Sequence, residues 1–311
     1  MSNFLIRHYV PETDLPALSR MLTEVESHDH NGERTSEEVL RAFLERPNFE
    51  PSRDAWVAEA DSGLVGYGLA LSQPGQSTVY AAVHPKYRRK GVAKKLLALV
   101  TERAKEANAK RLTAYFNGSN KASEVFLKKH GFTVDGSMGA MRAAAGVPLP
   151  KIELPTGYEI RKYAEVNDIG LLAKSLTKCY LGMWGHQDAD DYSTKDAPVY
   201  QYLDWYGEAG VHLLFVPKGD VIGICAAKPS ADKDEQGNPF DLFDAPGVIK
   251  EYRDQGYQRL LTVTALNWLR EHGQNPVRLE FWGEEEHVFE VYRSLGFEMV
   301  ERKFACYKDL D

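Results

Sequence analysis

The residues whose order carries the most chemistry run Val83-His84-Pro85-Lys86-Tyr87-Arg88-Arg89-Lys90-Gly91-Val92-Ala93. Strand-like alternation over Ser77–Val83 stops at Pro85 and a basic run follows. Gly91 then leads into Ala93, Leu96, Leu97, Val100 and Ala104, apolar at helical spacing. The first turn of a helix leaves backbone N–H groups without partners and carries partial positive charge, so a glycine turn entering it can wrap a diphosphate. Small residues at Gly91 and Ala93 let the anion come close. A solvated basic loop would also account for the charge, but not for the strand, proline, glycine and amphipathic helix in that order.

The same order returns in altered form. Val248, Arg253, Gly256 and Tyr257 fall at the positions of Val83, Arg88, Gly91 and Val92. Lys250 replaces the proline, Asp254 brings a negative charge and Gln258 stands for Ala93, so anion binding is expected to be weaker there. Other anchors repeat too: Ile6-Arg7-x-Tyr9 as Ile160-Arg161-x-Tyr163, Asp14-Leu15 as Asp168-Ile169, Gly66 as Gly223, and Gly131-Phe132 as Gly296-Phe297. The offset grows from 223 − 66 = 157 to 256 − 91 = 165, and the polar stretch 231–237 supplies the added loop.

To position these residues each half needs one set of elements. An edge strand at Ile6–Tyr9 is followed by an amphipathic helix from Asp14, and a second helix is opened by the capping box Thr35-x-x-Glu38. A hairpin of Ala55–Ala60 and Leu64–Leu71 leads to the strand entering the cradle. After the cradle helix come a strand at Leu112–Phe116, a helix from Asn120 to Lys129, and a last hairpin beginning at His130-Gly131-Phe132. The expected domains are 1–142 and 158–311, joined by a linker over 143–157 that contains Pro148, Pro150 and Pro155.

Arg88-Arg89-Lys90-Gly91-Val92-Ala93, preceded by Val83, Pro85 and Tyr87, resembles the Arg/Gln-x-x-Gly-x-Gly/Ala signature of the GNAT superfamily of acyl-CoA-dependent N-acyltransferases. The repeat extends the likeness over nearly the whole chain. It implies an α/β fold class of two tandem GNAT folds, each a mixed, mostly antiparallel central sheet flanked by helices, similar in architecture to the mycothiol synthase family. The cofactor-binding residues it implies are Val83, Arg88, Arg89, Lys90, Gly91, Val92, Ala93 and Asn120 in the first half. In the partly degenerate second cradle they are Val248, Arg253, Gly256 and Tyr257. The implied acid for the departing thiolate is Tyr292, four residues before Gly296, where the first half has Leu127; Glu285 takes the place of Asn120. An ordinary packing tyrosine fits the spacing of Tyr292 as well.

The reaction so implied is acetyl transfer from acetyl-CoA to the primary amine of a small molecule. Two alternatives stay open: a binding module in which one half holds acyl-CoA and the other a ligand or protein, and a peptide or protein amine as acceptor. Leu127 and Gln258 favour the first. Asp241 and Asp244 are candidate bases or turn formers ahead of Pro246-Gly247. Cys179, Tyr180, Met183, Trp184, His186, Asp188, Asp190, Asp191, Tyr192, Tyr200, Tyr202, Trp205 and Tyr206 form either an aromatic box for a cationic amine or a helix packed on the sheet. The matching stretch of the first half carries Glu24, Glu26, His28, Asp29 and His30. Its two histidines lack a third ligand, so no metal is expected.

At 311 residues, 43% hydrophobic and 27% charged, the chain has the composition of a globular protein with room for two cores. A net charge of −7 argues against nucleic-acid binding. Cys179, Cys225 and Cys306 show no disulfide or metal spacing and read as buried thiols. No apolar leader or membrane-length run is seen, so a cytoplasmic protein is expected, where acetyl-CoA is available. Two joined domains are compatible with a monomer, and the oligomeric state is left open.

Overall fold

The computed structural model of the chain describes residues 4–184, 197–230, 232–234, 237–273 and 275–310. In chain order its elements are β1 (Leu5–His8), α1 (Pro11–Asp29), α2 (Glu37–Leu44), α3 (Pro51–Asp54), β2 (Ala55–Ala60), β3 (Gly63–Gln73), β4 (Gln76–Val83), α4 (Val92–Glu106), β5 (Arg111–Asn117), α5 (Lys121–Lys129) and β6 (Thr133–Ala143). Then follow β7 (Glu159–Lys162), α6 (Tyr163–Val166), α7 (Ile169–Tyr180), α8 (Ala197–Tyr206), β8 (Val211–Phe215), β9 (Val221–Lys228), β10 (Asp241–Val248), α9 (Tyr257–His272), β11 (Val277–Trp282), α10 (Glu286–Ser294) and β12 (Glu298–Asp309). Helix α2 is capped one residue later than the sequence suggested. Ser36 accepts from Val39 N–H, while the Thr35 hydroxyl bonds to Thr23.

The chain divides into two compact units, Met1–Asp135 with Lys303–Asp311, and Gly136–Arg302. In the first unit the strand order is β1-β2-β3-β4-β5-β12, antiparallel throughout except for β4 and β5. In the second it is β7-β8-β9-β10-β11-β6, antiparallel except for β10 and β11. Period-two alternation gives each sheet two apolar faces. Ala55 and Val57 pack with Leu15, Leu18 and Met21 of α1, whereas Trp56 and Ala58 pack with Val92, Leu96 and Val100 of α4. The repeated glycines have a packing reason. A Cβ on Gly66 would lie 2.7 Å from Val92, and one on Gly223 would lie 2.8 Å from Leu261, so each lets the cradle helix sit close on its sheet.

The hairpin expected after Gly131 does not form. Residues 133–143 make one long strand, and Pro148 and Pro150, which cannot donate to a ladder, follow where a return strand would have to run. Met138–Ala143 pairs instead with β11 in the second unit, and Lys303–Asp309 closes the first unit against β5. The two units therefore differ from a division at 142 and 158, because each takes its sixth strand from the other half of the sequence.

Cys306 and Ala305 are buried in this added strand, and Phe304 stacks on Phe116 at 5.3 Å. A chain ending at Arg302 is expected to lose amide protection across β5 while β8 to β10 keep theirs. Hydrogen exchange checks this, and full protection of β5 in the shortened chain counts against the exchange.

Candidate active site

Both cradles have the same backbone. Pro85–Tyr87 and Lys250–Tyr252 each make a single 3-10 turn, Arg89 and Asp254 are both left-handed at φ 63°, and Gly91 and Gly256 cap α4 and α9 at φ 87° and 88°. A Cβ at either glycine meets nothing within 4 Å, so the space above each helix entrance is open, and no side chain caps the entrance. These uncapped N–H groups fit a phosphate. The first cradle adds exposed Arg89 and Lys90, and the second adds Asp254, whose carboxylate lies 2.6 Å from His287.

Arg88 and Arg253 sit differently from the expectation of direct cofactor contact. Arg88 donates to the Val83 carbonyl at 3.0 Å and grips Asp29 with both terminal nitrogens, at 2.8 and 2.6 Å. Arg253 donates to the Val248 carbonyl at 2.9 Å and to the carbonyls of Leu181 and Cys179 at 2.8 and 3.3 Å. Each arginine pins the end of the unit's first long helix to its cradle. Val92 and Tyr257 are buried, Tyr257 stacking on Tyr158 at 5.8 Å, so they offer backbone rather than side chain. Val83 and Val248 lie at the ends of their strands, Ala93 follows in the first turn of α4, and Asn120 caps α5 through Ser123 N–H.

Beside each cradle the parallel strands part. β4 and β5 share pairs only from Gln76–Thr78 to Arg111–Thr113, and β10 and β11 only from Asp241–Asp244 to Val277–Glu280, although all four strands run on. In the second unit β10 also bulges between Asp244 and Gly247, whereas β4 runs in regular register to Val83. Gly247 leaves room for Tyr180, whose ring would lie 3.0 Å from a Cβ there.

The groups around the second parting differ sharply from those around the first. Tyr180 and Tyr202 hydroxyls reach Asp244 Oδ2 at 3.1 and 3.3 Å, and Tyr180 also lies 3.0 Å from the Ala245 carbonyl. Burial pushes Asp244 up to about 7 despite these donors. Tyr292 is fully buried and its hydroxyl has no hydrogen-bond partner among the described residues; burial first, then the charges of Glu284 and Asp244, hold it well above the usual phenol range. Glu284 is buried and pushed up to about 8, chiefly by desolvation, with backbone N–H groups opposing and Asp244 adding to the rise. Its Oε2 has no partner either. An unsatisfied buried polar atom costs roughly 1–3 kcal/mol. Two of them beside a half-buried aspartate make a candidate ligand site, with the Tyr292 ring itself packed in the core against Phe289 and Phe297.

The first unit has a different set. Glu26 Oε2 and Asn31 Oδ1 are buried there without partners among the described residues, but Leu127 replaces the tyrosine and packs in the core, and Tyr80 faces Leu69 where Asp244 faces Ala226. Asp241, considered above as a base, instead ties a loop together: it is 1% exposed and accepts from the backbone of Ser230 and Asn275 and from the Asn275 side chain. His186, Asp188, Asp190, Asp191 and Tyr192 lie outside the described residues. His28 bonds Asp29, and among the described residues no group of three His, Cys, Asp or Glu is placed to hold a metal. The three cysteines are buried thiols, and no described helix is long and apolar enough to cross a membrane. Glu284 was missed by sequence reasoning, since Glu284-Glu285-Glu286 looks like a solvated run.

An Asp that keeps its proton to about 7 when folded, but loses it near 4 when unfolded, stabilises the fold at low pH and gives that up as pH rises through 7. The melting temperature of Asp244→Asn is therefore expected to gain on that of the wild type between pH 5 and pH 8.5. Parallel melting curves across that range would expose the error.

Residues 51–134 match the acetyltransferase (GNAT) domain model. The chain is 25% identical over 270 residues to a mycothiol acetyltransferase of an Arthrobacter species, covering 85% of this chain and 80% of that one. Its identity to a mycothiol acetyltransferase of Stackebrandtia nassauensis is 26% over 252 residues, covering 80% of each. Among solved structures it is similar to a GCN5-related N-acetyltransferase from Sphaerobacter thermophilus, with a TM-score of 0.64, 21% identity and coverage of 98% of this chain and 95% of that one. A tandem GNAT protein from the clavulanic acid biosynthesis pathway gives a TM-score of 0.55 at 16% identity, covering 99% and 98%. Residues 51–134 are thus a GNAT acetyltransferase domain, and over most of its length the chain is similar to mycothiol acetyltransferases and shares the fold of a tandem GNAT protein.

Proposed function

We propose that the second half carries out the chemistry, transferring an acetyl group to the primary amine of a small molecule, while the first half holds acyl-CoA without turning it over. The observation that carries this reading is the half-buried, desolvated Asp244 and the Tyr292 hydroxyl, unpartnered among the described residues, beside the parting of β10 and β11, against Tyr80 and Leu127 in the first half. Relatives named mycothiol acetyltransferase make a small-molecule amine the acceptor of choice. The same reading puts the protein in the cytoplasm with its acyl donor.

Acetyl-CoA, held by the N–H groups at Gly256 and Tyr257 and along β10 near Val248, supplies the activated acetyl thioester. Asp244, ionised above about 7, takes a proton from the acceptor ammonium so that its nitrogen lone pair is free. Tyr180 and Tyr202 fix the carboxylate through Oδ2. Tyr292 stays protonated throughout the working range and gives its hydroxyl proton to the departing thiolate. One amide bond forms and one thioester bond breaks; the ammonium loses two protons, the first passing through Asp244 to solvent and the second, released from nitrogen as the amide forms, replacing the one that Tyr292 gives to sulfur.

Tyr292→Phe keeps the ring and removes only the hydroxyl. It is expected to lower kcat by roughly a hundredfold with little change in the KM for acetyl-CoA, as for loss of a general acid. Thiol release over a panel of primary amines measures this, and full activity in the variant sinks the assignment. Gly256→Val strains a left-handed position and fills the space above α9, so it should abolish turnover. Gly91→Val should instead remove a binding event seen by calorimetry and leave turnover in place; the reverse pattern would move catalysis to the first half.

A further inference from the structure

Glu284 is the group that the mechanism above leaves without a task. It is buried where its neighbours are not: Glu285 and Glu286 are exposed, and Glu286 pairs with Arg302 at 2.7 Å. The turn that directs it inward is built for that purpose. Gly283 is left-handed at φ 88°, and a Cβ there would come within 2.5 Å of the Trp184 carbonyl oxygen. Trp184 in turn stacks on Trp282 at 5.5 Å, and its ring occupies the space where a Cβ on Gly136 would lie. A loosely held loop would let a carboxylate swing out to water, but this one is clamped on both sides.

We propose that Glu284 is a specificity-determining residue of the second-half site, binding a second hydrogen-bond donor on the acceptor, so that the amines this site takes carry a hydroxyl or a second amino group near the reacting nitrogen. The inference rests on the reading that the second half is catalytic. Asp244 is committed to the reacting amine in that reading, and two carboxyl groups in one buried site repel each other. Glu284 is more than nine-tenths buried and its Oε2 has no donor among the described residues, and the Tyr292 hydroxyl is equally without a partner among them. A donor brought by the acceptor satisfies the carboxylate and offsets the repulsion at once. An amine without such a donor leaves Oε2 buried and unpaired, which is the situation in which polar sites discriminate most strongly.

The test compares matched acceptors by thiol release from acetyl-CoA: 2-aminocyclohexanol against cyclohexylamine, and 1,3-diaminopropane against butylamine. Wild type is expected to favour the donor-bearing member of at least one pair by tenfold or more in kcat/KM, and the two pairs tell a hydroxyl from an ammonium. Glu284→Met should bring that ratio to within about threefold of unity and melt no lower than wild type, because it removes an unsatisfied buried carboxyl. Glu284→Gln, which keeps the shape, should abolish a preference for the diamine and weaken one for the alcohol. A wild-type enzyme without preference in either pair overturns the proposal, as does a preference that survives both substitutions. Absence of wild-type turnover on all four amines defeats the reading of the second half and this assignment with it; turnover without preference defeats the assignment alone.

Discussion

The short parallel pairing at the centre of each sheet governs what the rest of each unit can do. Parallel strands are held by evenly spaced, slanted hydrogen bonds, and here only three or four residue pairs form before the strands separate. Beyond that point the facing backbone groups need other partners. A cofactor arm that added as a strand would meet that need, and a helix entrance with uncapped N–H groups stands at the end of the same strand. Everything else in the unit, from the glycine contact under α4 or α9 to the arginine at each cradle, keeps strand end and helix entrance in one place.

The halves share this frame and differ in what fills it. Backbone angles at Gly91 and Gly256 agree within a degree, and both arginines turn away from the cradle to hold the preceding helix. The backbone frame is thus shared where the side chains are not. The first half keeps cations at its mouth and an apolar Leu127 inside, a combination suited to holding an anion. The second gives up the cations but keeps a bulged strand, two buried carboxyl groups and a phenol, which is what proton transfer requires.

Much of this was legible in the sequence, for reasons that differ by feature. Glycines at fixed offsets, strand alternation and the turn after Val83 are local signals, and the structure has them where the residues put them. Partnership between distant strands leaves no such mark: nothing in Thr133–Ala143 says that it pairs with Val277–Trp282 rather than with its own neighbour. Burial of one glutamate among three depends on a clamp by Trp184, almost a hundred residues upstream, and so escaped notice. Arg88 matched a motif by position, yet its partner Asp29 lies on a helix that the motif does not include. Asp241 and Asp244 looked alike on one strand, and only the third dimension separates a loop fastener from a base.

The traded strands also set an order of events during synthesis. Residues up to 135 leave the ribosome with β5 facing an empty edge, and the strand that covers it, Lys303–Asp309, follows only after the rest of the second unit has been made. At ordinary elongation rates that gap is roughly ten to thirty seconds. Throughout it the nascent first unit presents an open row of amides while the second unit is completed. The cell must therefore shield one unfinished edge for the whole time that it makes the other half, and the first unit matures after the second although it was begun before it.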